Sequence, residues 1–171
     1  RDWLRYAVSR FENSDIFYGH GTDNSYDEAV WLVMSALHLP HDTLDNFLDA
    51  RLTAQESRHL ATLIEKRVTD HTPTAYLVNE AWLRGFKFYV DERVIVPRSF
   101  IAELLENGLQ PWVEFPEMVE SAADICTGSG CLGILLAEAY PNAHLDVVDI
   151  SPDAIEVCNI NIGRYGLENQ I

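Results

Sequence analysis

Residues 124–133 read DICTGSGCLG, and this stretch decides the fold of the chain. Its glycines, Gly128, Gly130 and Gly133, follow the pattern GxGxxG. A short apolar run precedes them and a helical apolar pattern follows them, so they lie where a strand passes into a helix. A loop without side chains at such a place lets a ligand approach the backbone and the N-terminus of the helix. The stretch therefore predicts an α/β domain that binds a nucleotide.

A second strand and a second helix follow the glycine loop. Ser151 supplies an N-cap and Pro152 occupies the first helical position of the second helix. The predicted order is strand 122–126, helix 130–139, strand 144–150 and helix 152–165. Two such units begin a doubly wound parallel sheet, which usually has about five or six strands. We therefore expect about half of the domain to lie beyond Ile171 and the 171 residues to be a fragment.

Two acidic residues favour one kind of nucleotide. Asp149 lies near the end of the second predicted strand, 21 positions after Gly128, where a carboxylate can accept hydrogen bonds from two ribose hydroxyls. Asp124 lies inside the first strand, which is an awkward position for an acid that faces the pyrophosphate of NAD. An acid there can instead orient the loop or receive the ammonium group of S-adenosylmethionine, whose sulfonium is also positive. The carboxylates therefore favour S-adenosylmethionine. The alternative to a nucleotide site is a purely structural role, in which the glycines only make a tight turn and Asp149 only caps a helix.

The segments before the glycine loop predict two further parts. Residues 1–72 carry apolar side chains at helical spacing, with the capping-box residues Thr53 and Glu56, and predict a small helical bundle. Residues 73–97 predict a β-hairpin linker, with strands at 86–90 and 94–96 around Asp91-Glu92. Residues 98–171 begin with a helix at about 100–108 and continue into the α/β pattern. The fold class is thus α/β, with a helical N-terminal bundle, a β-hairpin linker and a nucleotide-binding domain.

Composition limits the classes of protein. The formal net charge of −15 disfavours direct binding to nucleic acid and favours a basic partner. No apolar stretch approaches the roughly 20 residues of a membrane span, and the first residues lack the pattern of a signal peptide, so we expect a cytoplasmic protein. The cysteines, Cys126, Cys131 and Cys158, have no CxxC spacing and predict buried free thiols.

No metal site is predicted. His38 and His41 lie near Asp42 and Asp45, but Pro40 interrupts the helical spacing and no zinc pattern is matched, so a solvated loop is expected. Five glutamates between residues 103 and 120 predict a solvated acidic face. They are Glu103, Glu106, Glu114, Glu117 and Glu120.

Three segments resemble one enzyme family. Residues 124–130 resemble the first motif of class I S-adenosylmethionine-dependent methyltransferases. Residues 149–154, DISPDA, with Asn161 further on, resemble the second motif of the HemK-like glutamine methyltransferases. Residues 86–99, FKFYVDERVIVPRS, are similar to the segment before the catalytic domain in that family. Their VDER and PRS sequences resemble the branch that methylates the third ribosomal protein of the large subunit, whereas the release-factor branch is expected to have Pro-Arg-Pro at 97–99.

The resemblance implies methyl transfer from S-adenosylmethionine to the side-chain amide of a glutamine in that ribosomal protein. It also implies that residues 1–72 help to recognise this basic substrate and that residues 98–171 hold part of the cofactor site. The residues implied to bind the cofactor are Arg98, Phe100, Asp124, Thr127, Gly128, Ser129, Gly130, Asp149 and Ile150. Phe100 has an alternative interpretation as an ordinary core residue of a helix.

The family's amide-binding motif is not in this sequence. Asn-Pro-Pro-Tyr performs that role in the family, and none of the seven prolines here is followed by another proline. Catalytic residues are therefore expected beyond Ile171, and these residues alone are expected to be inactive. Three other functions stay open: a release-factor glutamine methyltransferase, an NAD-dependent oxidoreductase and a non-catalytic cofactor-binding scaffold.

Overall fold

The structure, a computed structural model, describes residues 1–19 and 21–171. Its internal contacts divide the chain into two compact units, residues 1–80 and residues 81–171. The division therefore falls inside the segment that was expected to be a linker. The assignment of separate roles to 1–72, 73–97 and 98–171 stays a prediction.

The first unit is helical, as its apolar spacing predicts. Thr53 and Glu56 form the predicted capping box, since the Glu56 N–H donates to Thr53 Oγ1 at 3.2 Å and the Thr53 N–H donates to Glu56 Oε2 at 2.7 Å. The elements of the unit are α1 (Asp2–Glu12), α2 (Ser25–Ala36), a 3₁₀ helix (His41–Phe47), α3 (Ala54–Thr69) and α4 (Thr74–Val78). Their apolar faces meet in a core that includes Ala7, Phe11, Leu32, Leu60 and Ile64.

A buried ion pair connects three of these helices. Arg67 of α3 donates from Nε to Glu28 Oε1 of α2 at 2.5 Å, and both side chains are almost fully buried. Thr74, at the start of α4, donates its hydroxyl to the same carboxylate oxygen at 2.7 Å, and Thr22 donates to Oε2 at 3.1 Å. The pair thus has the additional hydrogen bonds that a buried charge needs. Because Thr74 is one of the donors, α4 belongs to the helical unit.

The hairpin exists, but the predicted pairing of its strands is wrong. Strand β1 (Ala81–Leu83) pairs antiparallel with β2 (Phe86–Phe88), and the turn between them is Arg84-Gly85, with φ of +51° and +83°. Two residues of positive φ make the tight turn that matches the twist of paired strands. Residues 94–96 form no strand. Residues 91–94 instead make a separate turn, in which the Val94 N–H donates to the Asp91 carbonyl at 3.1 Å.

The second unit contains the predicted strand–helix pattern. Its further elements are α5 (Ile101–Leu105), a 3₁₀ helix (Pro116–Met118), β3 (Ser121–Ile125), α6 (Cys131–Ala139), β4 (His144–Val148) and α7 (Pro152–Tyr165). Strands β3 and β4 are parallel, and Asp124 lies opposite Val147 in their register. Both carboxyl ends therefore lie at one edge of the sheet. Helix α5 is shorter than the predicted 100–108, whereas α7 has the predicted bounds.

The core of the second unit lies on one face of this sheet. Buried residues of α5, α6 and β4 form it, among them Ala102, Leu135, Ala137 and Leu145. In the part of the chain that the structure describes, no helix is long and apolar enough to span a bilayer.

Candidate functional site

The candidate site is the loop that joins β3 to α6, at the carboxyl edge of the parallel strands. The Thr127 N–H donates to the carbonyl of Val148 at 3.0 Å, which ties the loop to the end of β4. The Gly130 N–H donates to the Thr127 carbonyl at 2.9 Å, which closes the loop into a turn. Ligands of open α/β sheets bind at this edge, outside the carboxyl ends of the strands.

Asp124, near the end of β3, is hydrogen-bonded to this loop and to the helix that follows it. Its side chain is buried, and Oδ2 accepts hydrogen bonds from the Thr127 hydroxyl at 2.6 Å and from the Gly133 N–H at 2.9 Å. Gly133 lies in the first turn of α6, where a negative charge also interacts favourably with the helix dipole. One carboxylate oxygen therefore spans the loop and the start of the helix that follows it.

The three glycines of the GxGxxG pattern have different surroundings. A Cβ on Gly130, whose φ is +80°, would lie 2.6 Å from the Sγ of Cys158 on α7. A Cβ on Gly133 would lie 2.6 Å from the Cγ1 of Val147 on β4. These two glycines therefore let α6 pack closely on its neighbours. Gly128, with φ of +56°, would direct a Cβ into open space, so the loop is accessible to a ligand at that point.

Asp149 follows β4 and faces the same loop. Its Oδ2 accepts the Gly128 N–H at 2.9 Å, and its Oδ1 accepts the Ser151 N–H at 3.0 Å. Hydrogen bonds from the Ser151 N–H, which has the larger effect, and from the Gly128 N–H hold the pKa of Asp149 below its ordinary value. The side chain is therefore ionised at neutral pH. Each carboxylate oxygen has further acceptor capacity for a ligand hydroxyl. Beside it, the side chain of Ile150 is 98% exposed.

Asn161 on α7 is a part of the site that the sequence analysis named only within a motif. It is completely buried, and its Nδ2 donates to the carbonyl of Ser129 at 2.8 Å and to the carbonyl of Tyr89 at 2.9 Å. Its Oδ1 accepts the Tyr89 N–H at 2.7 Å. One signal was available in the sequence: an amide among the apolar residues on the buried face of α7, which requires polar partners.

The cysteines differ in exposure. Cys131 and Cys158 are buried, and burial raises the pKa of both thiols, that of Cys158 to about 11. Cys126 is exposed, so the expectation that it is buried is wrong. The apolar run continues to Cys126, but β3 ends at Ile125 and the backbone turns at Cys126 with φ of +64°.

Two predicted cofactor residues lie upstream of the loop, before α5. Arg98 and Phe100 are exposed, Phe100 at 85%, so the alternative of a helix core residue is wrong for Phe100. A position of these two side chains over the cofactor stays a prediction. The five glutamates from Glu103 to Glu120 are all exposed, as expected of a solvated face.

The histidine segment 38–45 is not a simple solvated loop. His41 begins a 3₁₀ helix, and its Nε2 lies 3.1 Å from Glu80 Oε1 and 3.0 Å from Ser35 Oγ. Since Glu80 is buried, the histidine fixes this segment to the helical unit. Within residues 1–19 and 21–171, no group of three or more potential metal ligands lies together.

Comparison with known proteins agrees with the geometry of this loop. The family model "Methyltransferase small domain" matches residues 103–171, which lie in the α/β unit. Over its whole length the chain is similar to proteins named ribosomal protein uL3 glutamine methyltransferase. It is 58% identical to that of Burkholderia pseudomallei, 56% to that of Neisseria gonorrhoeae and 57% to that of Bordetella pertussis. The predicted resemblance to glutamine methyltransferases is confirmed.

The alignments cover a larger share of this chain than of its relatives. All 171 residues of the chain are aligned in these three comparisons, but they span only 56–57% of the relatives' own lengths. The chain therefore corresponds to little more than half of the proteins that it matches.

Proposed function

We propose that the protein is an S-adenosylmethionine-dependent methyltransferase that methylates the side-chain amide of a glutamine in ribosomal protein uL3. The observation that carries this proposal is the arrangement of Asp124, the glycine loop and Asp149 at the carboxyl edge of β3 and β4. The names of the relatives favour uL3 over a release factor as substrate. The absence of Pro-Arg-Pro at residues 97–99 agrees with that choice.

The residues of the loop fit S-adenosylmethionine, which supplies an electrophilic methyl group on a positively charged sulfur. Asp149 would accept hydrogen bonds from the ribose hydroxyls, since it is ionised and has free acceptor capacity. Gly128, Ser129 and Gly130 would line the ribose and methionine portions, because no side chain closes the loop at Gly128. The exposed Ile150 would offer an apolar contact to the base.

Asp124 and Thr127 would act through the shape of the loop. The hydrogen bonds of Asp124 Oδ2 to Thr127 and Gly133 support this role, because they fix the backbone that faces the ligand. A buried carboxylate so close to the loop also disfavours a pyrophosphate there, and hence an NAD-dependent oxidoreductase. Arg98 and Phe100 would cover the cofactor from the segment before α5.

The two strands would be neighbours in a larger Rossmann-like sheet. Ile125 and Val148 are opposite each other in the register and are 65% and 47% exposed, so one sheet face carries apolar surface that further chain would cover. In the relatives, more than two fifths of the length has no counterpart here. We propose that residues corresponding to that remainder complete the sheet and supply the Asn-Pro-Pro-Tyr motif.

The acceptor chemistry requires those additional residues. An amide nitrogen is a poor nucleophile because its lone pair is delocalised, so the amide must be held by hydrogen bonds and aimed at the methyl group. The helical unit would contribute to recognition of uL3, and the net charge of −15 suits a strongly basic ribosomal protein. A substrate of this kind would place the reaction in the cytoplasm.

Calorimetric titration of S-adenosylhomocysteine into the protein tests the proposal. We expect binding to the wild type, loss of most of that binding in Asp149→Ala, and no binding of NAD. A folded wild-type protein that binds NAD, or neither compound, would contradict the assignment of the cofactor. A protein extended to the full length of the relatives tests the substrate. If it methylates the release factor in preference to uL3, the assignment of the substrate is contradicted.

A further inference from the structure

Helix α7 pairs with the backbone of the hairpin segment through two side chains one turn apart. The Tyr165 hydroxyl accepts the Lys87 N–H at 2.8 Å and donates to the Lys87 carbonyl at 3.0 Å. Asn161 makes the same pair of hydrogen bonds with Tyr89, at 2.7 and 2.9 Å. Residues 87 and 89 point the same way along an extended chain, so the two side chains take the place of a neighbouring strand.

Asn161 differs from Tyr165 in one contact. Its second amide hydrogen donates to the carbonyl of Ser129 at 2.8 Å, inside the glycine loop. The N–H of the same peptide group, that of Gly130, donates to the Thr127 carbonyl at 2.9 Å. Because a peptide group is planar, hydrogen bonds at both its ends fix its orientation. The Ser129–Gly130 peptide is therefore held in one direction, with Asn161 as the partner from outside the loop.

We propose that Asn161 is a positioning residue for the cofactor: it holds the Ser129–Gly130 peptide and links the cofactor loop to the hairpin segment. This inference rests on the proposed function, because it concerns the affinity of the same loop for S-adenosylmethionine. Asn161 does not touch the ligand. It sets the direction of the backbone groups that do, so its loss changes cofactor affinity in a protein that is still folded.

Two substitutions at this position separate shape from hydrogen bonding. Asn161→Asp keeps the size of the side chain and the oxygen that accepts the Tyr89 N–H. It replaces the donating NH₂ group with a carboxylate oxygen, which then faces the carbonyls of Tyr89 and Ser129. Asn161→Ala leaves those carbonyls and the Tyr89 N–H without a partner. Tyr165→Phe is the matched control, because it removes the equivalent hydrogen bonds, which go to Lys87 and not to the glycine loop.

Calorimetric titration of S-adenosylhomocysteine into the 171-residue chain and these variants is the test, with circular dichroism to establish that each is folded. We expect Kd to rise about tenfold or more in both Asn161 variants, the effect of one or two lost buried hydrogen bonds. In Tyr165→Phe it should change by less than about threefold, since no contact to the loop is lost. Folded Asn161 variants with wild-type Kd would overturn the inference. So would an equal loss in Tyr165→Phe, because the effect would then come from the general docking of α7.

A second measurement uses only the wild type and therefore does not depend on the folding of variants. In an NMR titration with S-adenosylhomocysteine, the side-chain amide resonances of Asn161 should be protected from exchange and should shift on saturation. If the backbone amides of Gly128 and Gly130 shift but the side-chain amide of Asn161 does not, the inference about Asn161 is overturned while the proposed function stands. Absence of any ligand binding to the folded wild type would instead contradict the proposed function, and this inference with it.

Discussion

The backbone N–H of Gly128 donates a hydrogen bond of 2.9 Å to the carboxylate of Asp149, across the carboxyl edge of the sheet. The bond joins the loop after β3 to the residue that follows β4. It fixes the carboxylate beside the one glycine of the loop whose missing Cβ leaves open space. The carboxylate of Asp149 and the open space beside Gly128 are therefore held together by one hydrogen bond.

Asp149→Asn should weaken binding of S-adenosylhomocysteine by about tenfold or more, because a charged acceptor is lost and the new NH₂ group opposes a backbone N–H. Calorimetric titration measures the effect. Asp153→Asn, an exposed acid in the first turn of α7, is the control and should bind within about twofold of the wild type, since a surface charge interacts weakly. Equal losses in the two variants would indicate a general charge effect.

Gly128→Ala should lower cofactor affinity far more than it lowers stability. The Cβ enters open space, so the cost to folding is about 1 kcal/mol for the left-handed backbone, whereas the ligand is expected in that space. Gly166→Ala is matched to it, because Gly166 also has positive φ and no atom near its Cβ position, but it caps α7. Similar melting temperatures with reduced binding only in Gly128→Ala would support the site. Equal affinities would place the ligand elsewhere.

Gly130→Ala should instead be destabilising in the absence of any ligand. Its Cβ would lie 2.6 Å from Cys158 Sγ, at a positive φ, so α6 and α7 must separate at a cost of about 1–3 kcal/mol. Thermal unfolding of the ligand-free variant measures this cost. A melting temperature equal to that of Gly128→Ala would show that the helices do not pack as closely here as the structure indicates.

Glu28→Ala should destabilise the helical unit by about 3 kcal/mol or more, because Arg67 is left as a buried charge without its counter-ion. Glu65→Ala removes a half-buried pair with Arg10 and the hydrogen bond from the Tyr6 hydroxyl, and should cost less, about 1 kcal/mol. Urea unfolding followed by circular dichroism compares the two. A cost for Glu28→Ala as small as that for Glu65→Ala would mean that water reaches Arg67.

Asp91 should contribute to stability in a defined range of pH. Hydrogen bonds from the Arg93 guanidinium hold its pKa at about 2, below the ordinary 3.8. The unfolded chain therefore binds the proton more readily, so the contribution is complete above about pH 4 and is lost as the pH falls towards about 2. Asp91→Asn should be less stable at neutral pH, with a smaller loss of stability in acid. Parallel acid dependence of the two proteins in urea unfolding would contradict this.

The 171 residues alone should bind S-adenosylhomocysteine without methylating glutamine, because they contain no Asn-Pro-Pro-Tyr motif to hold the amide. Transfer of a radiolabelled methyl group to isolated uL3 is the measurement. Detectable methylation by these residues would show that another group binds the amide.

The strand–helix part of the fold could be predicted because its signals are local. Ser151 accepts the Ala154 N–H as an N-cap and Pro152 begins the helix, so the bounds of α7 follow from neighbouring residues. The glycine spacing predicted the loop between strand and helix for the same reason, whereas the close approaches of Gly130 to Cys158 and of Gly133 to Val147 depend on packing between distant residues.

The parts that could not be predicted depend on longer-range contacts or on unusual backbone conformations. Arg84 adopts a positive φ that an arginine seldom favours, so the sequence pattern favours a hairpin turn at Asp91-Glu92 instead. Asn161 makes its hydrogen bonds to residues 72 and 32 positions away, Tyr89 and Ser129, and no local pattern gives those partners. The exposure of Cys126 follows from the end of β3 one residue before the apolar run ends.

The pairing of Asn161 and Tyr165 with the hairpin segment also limits which changes of length α7 can tolerate. Each residue of a helix advances the direction of the side chain by about 100°, so one inserted residue between Ser151 and Asn161 would rotate both groups away from residues 87 and 89. An insertion at the exposed turn Arg84-Gly85 would leave both pairs of hydrogen bonds in place. Among related sequences, α7 should therefore keep a constant length between these residues, whereas the hairpin turn should accept additional ones.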